Sequence, residues 1–202
     1  GIPGMANLRT AGYLGGAVEC GMMNAAIHQL AHHIGVPNYN SSGLTDAKIP
    51  DAQAGWEKAM TTLMAAMGGS NYVHHAAGML ESMLTVAYEQ FVIDDEIIGM
   101  SCKVLKGITV DPEHLALEVI DSVGPGGNFI TTPHTMDHLY SEYFHGSAVT
   151  DQKDRDTWVA DGSPDARKRA CDIARKILSA EEKSYLDVKT DQAIRSKYDI
   201  LL

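Results

Sequence analysis

The side chains able to do chemistry gather in two short stretches. The first is Gly43-Leu44-Thr45-Asp46-Ala47-Lys48-Ile49-Pro50-Asp51-Ala52-Gln53-Ala54-Gly55, dense in carboxylates, a hydroxyl and an amine. It follows a strand candidate, and α/β sheets and barrels bind ligands at the carboxyl ends of strands. The same string also reads as a capped helix start, with Asp46 and Asp51 accepting from free amides. The residues leave both readings open. The second stretch is Asn71-Tyr72-Val73-His74-His75-Ala76-Ala77-Gly78-Met79-Leu80-Glu81. On a strand, Tyr72 and His74 face one way and His75 the other. Neighbouring histidines so placed cannot share one ion, and no metal site is expected. Tyr72, His74 and Glu81 could line a polar pocket, or the imidazoles could be hydrogen-bonded core groups.

Three weaker features complete the chemistry. Asp94, Asp95 and Glu96 sit in the amino half of a predicted helix, where a solvated face or helix-dipole partner is the better reading. Gly124-Pro125-Gly126-Gly127-Asn128-Phe129 has neither Gly-x-Gly-x-x-Gly nor a Lys-Ser/Thr ending, so it reads as a tight turn and not a nucleotide loop. His32 and His33 lie on a helix as surface or satisfied core groups.

These residues must be positioned by a chain of 202 residues, room for one ordinary domain or two small ones. An apolar content of 45% is ample for a core, which excludes wholesale disorder. The net charge of −10 is uneven: residues 1–150 carry 15 acids and 5 bases, residues 151–202 carry 11 of each. An acidic body repels a phosphate backbone and makes nucleic acid a poor partner. Cys20, Cys102 and Cys171 are scattered, with no Cys-x-x-Cys pair, which points to buried thiols in a reducing, cytoplasmic setting. No apolar run approaches the roughly 20 residues of a bilayer span. The start Gly1-Ile2-Pro3-Gly4 has no signal-peptide pattern and no initiator Met, so the chain is expected to begin inside something longer or to be processed.

The periodicities predict a glycine-rich loop over 1–16, then a helix over 17–34 with Val18, Met22, Ile27, Leu30 and Ile34 as its apolar positions. A short strand over 36–40 precedes a helix from Pro50, whose buried stripe should be Trp56, Met60, Leu63 and Met67. A weaker strand over 71–77 follows. This alternation suggests βα units with a parallel sheet. From Tyr88 onward the pattern is helical: one helix through Val104, one from Asp111-Pro112 to Val123, and one after Ser163-Pro164 with Ala170, Ile173, Ala174 and Ile177 inward. Residues 146–162 read as a linker. The division is therefore 1–145 for the βα body and 146–202 for a helical extension. Two or three strands cannot close a sheet, so the chain reads as the later portion of a larger α/β architecture.

Five strings, in order, resemble the trimethylamine methyltransferase family of corrinoid-dependent enzymes. They are Ala6-Asn7-Leu8-Arg9-Thr10; Thr45-Asp46-Ala47-Lys48 with Pro50-Asp51-Ala52-Gln53-Ala54-Gly55; Ala77-Gly78-Met79-Leu80-Glu81-Ser82; Phe91-Val92-Ile93-Asp94-Asp95-Glu96; and Val123-Gly124-Pro125-Gly126-Gly127-Asn128-Phe129. The resemblance implies a (β/α)8 barrel of the TIM type in a chain more than twice this long, of which these residues are the carboxyl-terminal portion plus a helical C-terminal extension. It implies methyl transfer from a methylated amine to the cobalt of a separate corrinoid protein, with no cofactor held directly. A portion that cannot close its own sheet exposes a strand edge and apolar helix faces, and is expected to self-associate as a homo-oligomer.

In the trimethylamine enzymes pyrrolysine stands just before the Thr/Ser-Asp-x-Lys string, and Leu44 occupies that place here. Leucine has no electrophilic centre to activate a neutral amine. A quaternary ammonium already leaves as a neutral tertiary amine, so the resemblance points to a substrate such as glycine betaine. A trimethylamine-specific enzyme and a non-catalytic amine-binding or corrinoid-docking module are the alternatives. On this reading Tyr39, Tyr72 and His74 hold the cation by their ring faces. Glu81 or Asp46 supplies negative field, and Leu44 is an apolar wall. His74, His75 or Lys48 would meet the carboxylate of a betaine.

Overall fold

The structure is a computed structural model and describes residues 3–180 and 185–199. The glycine-rich start is a hairpin: β1 (Met5–Ala6) pairs antiparallel with β2 (Tyr13–Leu14), Met5 opposite Leu14. Asn7 closes its turn, its amide donating to the Gly12 carbonyl at 2.8 Å and its carbonyl accepting from Ala11 at 2.7 Å. The sequence reads here as loop because two-residue strands leave no alternation to detect.

The helix α1 (Val18–His33) ends where Gly35 adopts a left-handed φ of 70°. Then come β3 (Tyr39–Ser41), α2 (Ala52–Met67) and β4 (Tyr72–His74). Asp51 caps α2 by accepting from the Ala54 amide at 3.2 Å. The two strands are parallel, Tyr39 opposite Tyr72, Asn40 opposite Val73 and Ser41 opposite His74. This is the strand–helix–strand unit that the rhythm of the sequence predicts.

The helix faces differ from expectation. On α1 the buried residues are Cys20, Gly21, Asn24, His28 and Ala31, while Val18, Met22, Leu30 and Ile34 are exposed. On α2 they are Ala54, Lys58, Thr61, Thr62 and Ala65, with Trp56, Met60 and Met67 exposed. The physical reason is close approach. The two helices approach closely at their glycines: a Cβ on Gly21 would lie 2.8 Å from the Met64 Sδ and 3.3 Å from the Thr61 Cα, and one on Gly68 would lie 2.7 Å from the Ala25 Cα. That seam excludes the bulky stripes, which are left facing outward.

A second hairpin, β5 (Met79–Leu80) with β6 (Thr85–Val86), leads into α3 (Tyr88–Lys106). The Asp94-Asp95-Glu96 run is not a solvated face: Asp94 and Glu96 are buried and only Asp95 is exposed. Asp94 pairs with Lys58 of α2 at 3.1 Å, both side chains 1% exposed. Glu96 accepts from the Ser147 amide at 2.7 Å and from the Thr150 hydroxyl, fastening residues 147–150 to α3. Burial pushes the Glu96 carboxyl up, but the hydrogen bonds from Thr150 and Ser147 outweigh it and hold the group below its usual range.

The remaining described helices are α4 (Pro112–Leu115), α5 (Leu117–Val123), α6 (Pro133–His138), α7 (Arg155–Ala160), α8 (Ala166–Leu178) and α9 (Val188–Lys197). The single helix expected over 112–123 is broken at Ala116, which is left-handed with φ 51°. Gly124 and Gly126 take positive φ in the expected tight turn. Helix α8 packs on α3 and buries Ala170 and Ala174, while Ile177 is exposed. Of the three thiols only Cys20 is buried, and Cys102 is exposed.

The described strands thus form three two-stranded sheets, one of them parallel, with helices packed on them. The architecture is mixed α/β, and among the described residues no barrel closes.

Candidate functional site

The two connections that leave the carboxyl ends of β3 and β4 run side by side. The Ser42 amide donates to the His74 carbonyl at 3.3 Å, Ser82 to Thr45 at 2.8 Å and Glu81 to Ala47 at 3.0 Å. Between them Lys58 reaches up from α2 and donates to the carbonyls of Gly43 at 2.5 Å and Met79 at 3.1 Å. One buried ammonium therefore clasps both loops, and Asp94 neutralises it while accepting from the Gly78 amide at 2.7 Å. Gly43 must be glycine here: its φ is 70°, and a Cβ would sit 2.6 Å from the Thr62 hydroxyl and 3.1 Å from the Ala76 Cα.

At one end of this loop pair is an aromatic group. The His74 ring lies 6.4 Å from Tyr39, edge on, and 5.9 Å from Tyr72. The His75 ring stacks on His74 at 3.7 Å, whereas a continued strand would separate them. The reason is local: the strand stops at His74 and His75 turns left-handed with φ 63°. His75 Nδ1 lies 2.9 Å from the Ser41 hydroxyl, and burial and the neighbouring His74 push its imidazole below the usual range. Tyr39, Tyr72 and His74 are exposed, on the side of the β3–β4 pair opposite the buried Asn40.

At the other end is a cleft of about 460 Å³ between the first hairpin and the loop pair. Asp46, Lys48, Glu81 and Ser82 line it from one side, and Asn7, Thr10 and Tyr13 from the other. Asp46 accepts from the Gly15 amide at 3.1 Å and from the Ser82 hydroxyl. Lys48 Nζ donates to the Asp46 carbonyl at 2.7 Å, and Glu81 accepts from the Thr85 hydroxyl. Glu81, Ser82 and Met83 all carry positive φ, of 49°, 52° and 79°. Three consecutive left-handed residues without a glycine store backbone strain of a kind that collects at ligand sites. Burial, followed by the charges of Cys20 and Asp46, raises the Tyr13 hydroxyl pKa, so it stays a neutral donor beside the cleft.

Leu44 lies between the two ends and is 1% exposed. It fits because residue 15 is glycine, where a Cβ would come within 3.0 Å of the leucine Cδ1. Its side chain therefore packs behind the cleft rather than lining it. The structure thus divides the sequence-predicted residues: Asp46 and Glu81 share the cleft, Tyr39, Tyr72 and His74 share the aromatic group, and Leu44 joins them through the loop.

Sequence reasoning passes over Glu57, whose carboxylate accepts from the Asp46 amide at 2.8 Å, the Thr45 hydroxyl at 2.6 Å and Gln53 Nε2 at 2.9 Å. Its position on α2, one turn after Gln53, carries a weak signal of a helix-to-loop brace. Tyr13 and Lys58 are missed as well. A lysine among apolar neighbours gives no sign that it is buried until its acid partner, 36 residues later, is placed beside it.

The family model Trimethylamine methyltransferase (MTTB) matches residues 3–199. The chain belongs to the trimethylamine methyltransferase family. It is 36% identical over 192 residues to a glycine betaine methyltransferase of Desulfitobacterium hafniense, covering 95% of this chain and 40% of that protein. A trimethylamine methyltransferase from the same species is 38% identical over 181 residues, 90% of this chain and 36% of that protein. One from Methanosarcina mazei is 40% identical over 187 residues, 91% and 37% respectively. The chain therefore spans no more than two fifths of the length of these relatives, and it matches their carboxyl-terminal portion. Among the described residues no helix is long and apolar enough to cross a membrane.

Proposed function

We propose that this chain is part of an enzyme that moves a methyl group from a quaternary amine, such as glycine betaine, to the cobalt of a corrinoid protein. The carrying observation is Leu44, apolar and buried at the place where the trimethylamine enzymes of the family resemblance hold pyrrolysine. An inert side chain suits a substrate that needs no activation. In the transfer the methyl carbon bonds to the acceptor cobalt and its bond to nitrogen breaks. The electron pair stays on nitrogen, which leaves as a neutral tertiary amine, so no proton has to move.

What the protein then supplies is position and field. Asp46 and Glu81 supply the negative potential for the ammonium. Tyr39, Tyr72 and His74, at the opposite end of the loop pair, offer ring faces to a cation on its way to the cleft rather than to one held there, a contact worth about 0.5–2 kcal/mol per ring depending on desolvation. Lys48, on the cleft wall, pairs with the betaine carboxylate. Leu44, packed against Gly15 behind the cleft, backs the loop that carries Asp46 and Lys48.

The parallel β3–β4 unit, with aromatic side chains exposed on one face and helices on the other, supports its membership of a larger (β/α)8 barrel. In that barrel the aromatic face would turn inward, and the 146–202 region would be a helical extension. The corrinoid would arrive on a partner protein and act as methyl acceptor.

The test is to supply the whole enzyme with glycine betaine and cob(I)alamin. Methylcobalamin and dimethylglycine should appear in equal amounts. Binding of the amine with neither product would favour a non-catalytic module, and turnover of trimethylamine alone would overturn the quaternary-amine reading.

A further inference from the structure

The segment from 102 to 148 contains no fully buried side chain, although it folds into α4, α5 and α6. Helices of four, seven and six residues are too short to stand alone in water. A unit without a core needs another fastening, and disulfides or metal ions are the usual ones. The one cysteine here, Cys102, is free.

Histidines and carboxylates converge at this place. His114 in α4, His138 at the end of α6 and Glu142 one turn later bring one ligand atom each to within 4.8 Å of one another. The Glu142 amide bonds to the His138 carbonyl at 3.1 Å, which sets these two side chains on one helical face. His114 Nε2 lies 3.8 Å from Glu142 Oε1. Ligands of a tetrahedral zinc ion, bound at 2.0–2.1 Å, are about 3.4 Å apart, so small side-chain rotations close the set.

The supporting shell is also in place. His114 Nδ1 meets Asp111 Oδ1 at 2.7 Å, which points Nε2 toward Glu142 with its lone pair free. A carboxylate behind a ligating imidazole fixes its tautomer and orientation. The imidazoles of His114 and His138 lie 5.1 Å apart, and His134 packs against His138 at 4.4 Å while its Nε2 meets the Glu113 carbonyl at 2.8 Å. Asp111, Glu113 and Glu142 surround the imidazoles with negative charge.

We propose that His114, His138 and Glu142 form a site for a divalent transition metal of the zinc class that staples α4 to α6, with a fourth position left to water. It shares no residue with the cleft or with the His74–His75 pair. The ligands were hidden in the sequence because His114 and His138 come from separate short helices.

The test is titration of the metal-stripped protein with Co²⁺ and Zn²⁺ alone, followed by limited proteolysis. One equivalent of Co²⁺ should give the intense visible bands of a four-coordinate site. Zn²⁺ should displace it and slow cleavage within residues 107–146. His138→Ala should abolish the bands, and Asp111→Asn, which leaves all three ligands, should weaken affinity about 10–100-fold. His74→Ala with His75→Ala should leave the Co²⁺ bands and their intensity unchanged. Absence of stoichiometric binding overturns the proposal. So does binding that survives His138→Ala, or that is lost with His74 and His75.

Discussion

Asp46 and Glu81 are tied by hydrogen bonds to Gly15, Ser82 and Thr85, so their carboxylates are fixed in place before any ligand arrives. A carboxylate held this way favours the cation most in the ground state, because the nitrogen sheds its positive charge as the methyl departs. Asp46→Asn and Glu81→Gln keep the acceptor atoms and remove the charge. Each should raise KM for a quaternary amine about tenfold, the equivalent of ~1.4 kcal/mol, with kcat changing much less. Steady-state kinetics on the whole enzyme decide this, and an unchanged KM with a collapsed kcat would assign the carboxylates a different job. At this scale Asp46 and Glu81 were legible as polar groups in motif strings. Tyr13 was not, because its partner loop lies more than 30 residues away.

The strand–helix–strand unit is held by a charge pair. Lys58 of α2 and Asp94 of α3 are both buried, and each also satisfies backbone groups of the loop pair. Removing one partner leaves a bare buried charge. Lys58→Met should therefore cost about 3–5 kcal/mol in urea unfolding, and adding Asp94→Leu should recover much of it. Burial raises the Asp94 pKa to about 6, against the opposing pulls of Lys58, Gln90 and Gly78, and burial lowers that of Lys58. The native state then holds a proton that the unfolded chain has released between about pH 4 and 6. Stability relative to Asp94→Asn should fall as pH rises through that window and level off above it. A difference that rises with pH there would contradict the raised value.

Element positions were legible in the sequence: α1, β3, α2, β4 and α3 lie within a few residues of their expected bounds. Their faces were not. Hydrophobicity alone assigned the inward side, whereas Gly21, Gly68 and the small side chains of α2 decide it by how closely the helices approach. The run Asp94-Asp95-Glu96 was misread for a related reason, since burial of a carboxylate depends on a partner brought in by packing.

For the molecule as a whole, those reversed faces have a consequence. Trp56, Met60 and Met67 on α2 and Val18, Met22, Leu30 and Ile34 on α1 form apolar stripes open to solvent. Patches of this sort are covered in a finished assembly. The isolated 202-residue chain should self-associate, and sedimentation should show a mass that rises with concentration. Trp56→Glu with Met60→Lys should reduce that association, and a monodisperse monomer for the parent chain would contradict it. The (β/α)8 reading needs the same cover, since one parallel pair of strands cannot close a sheet.

The central claim is that a leucine at position 44 selects a substrate already carrying a permanent positive charge. The most direct measurement is the ratio of kcat/KM for glycine betaine over trimethylamine, with cob(I)alamin as acceptor and the whole enzyme as catalyst. A ratio above about 100, a discrimination of ~2.7 kcal/mol or more, is predicted. A ratio below one would contradict it.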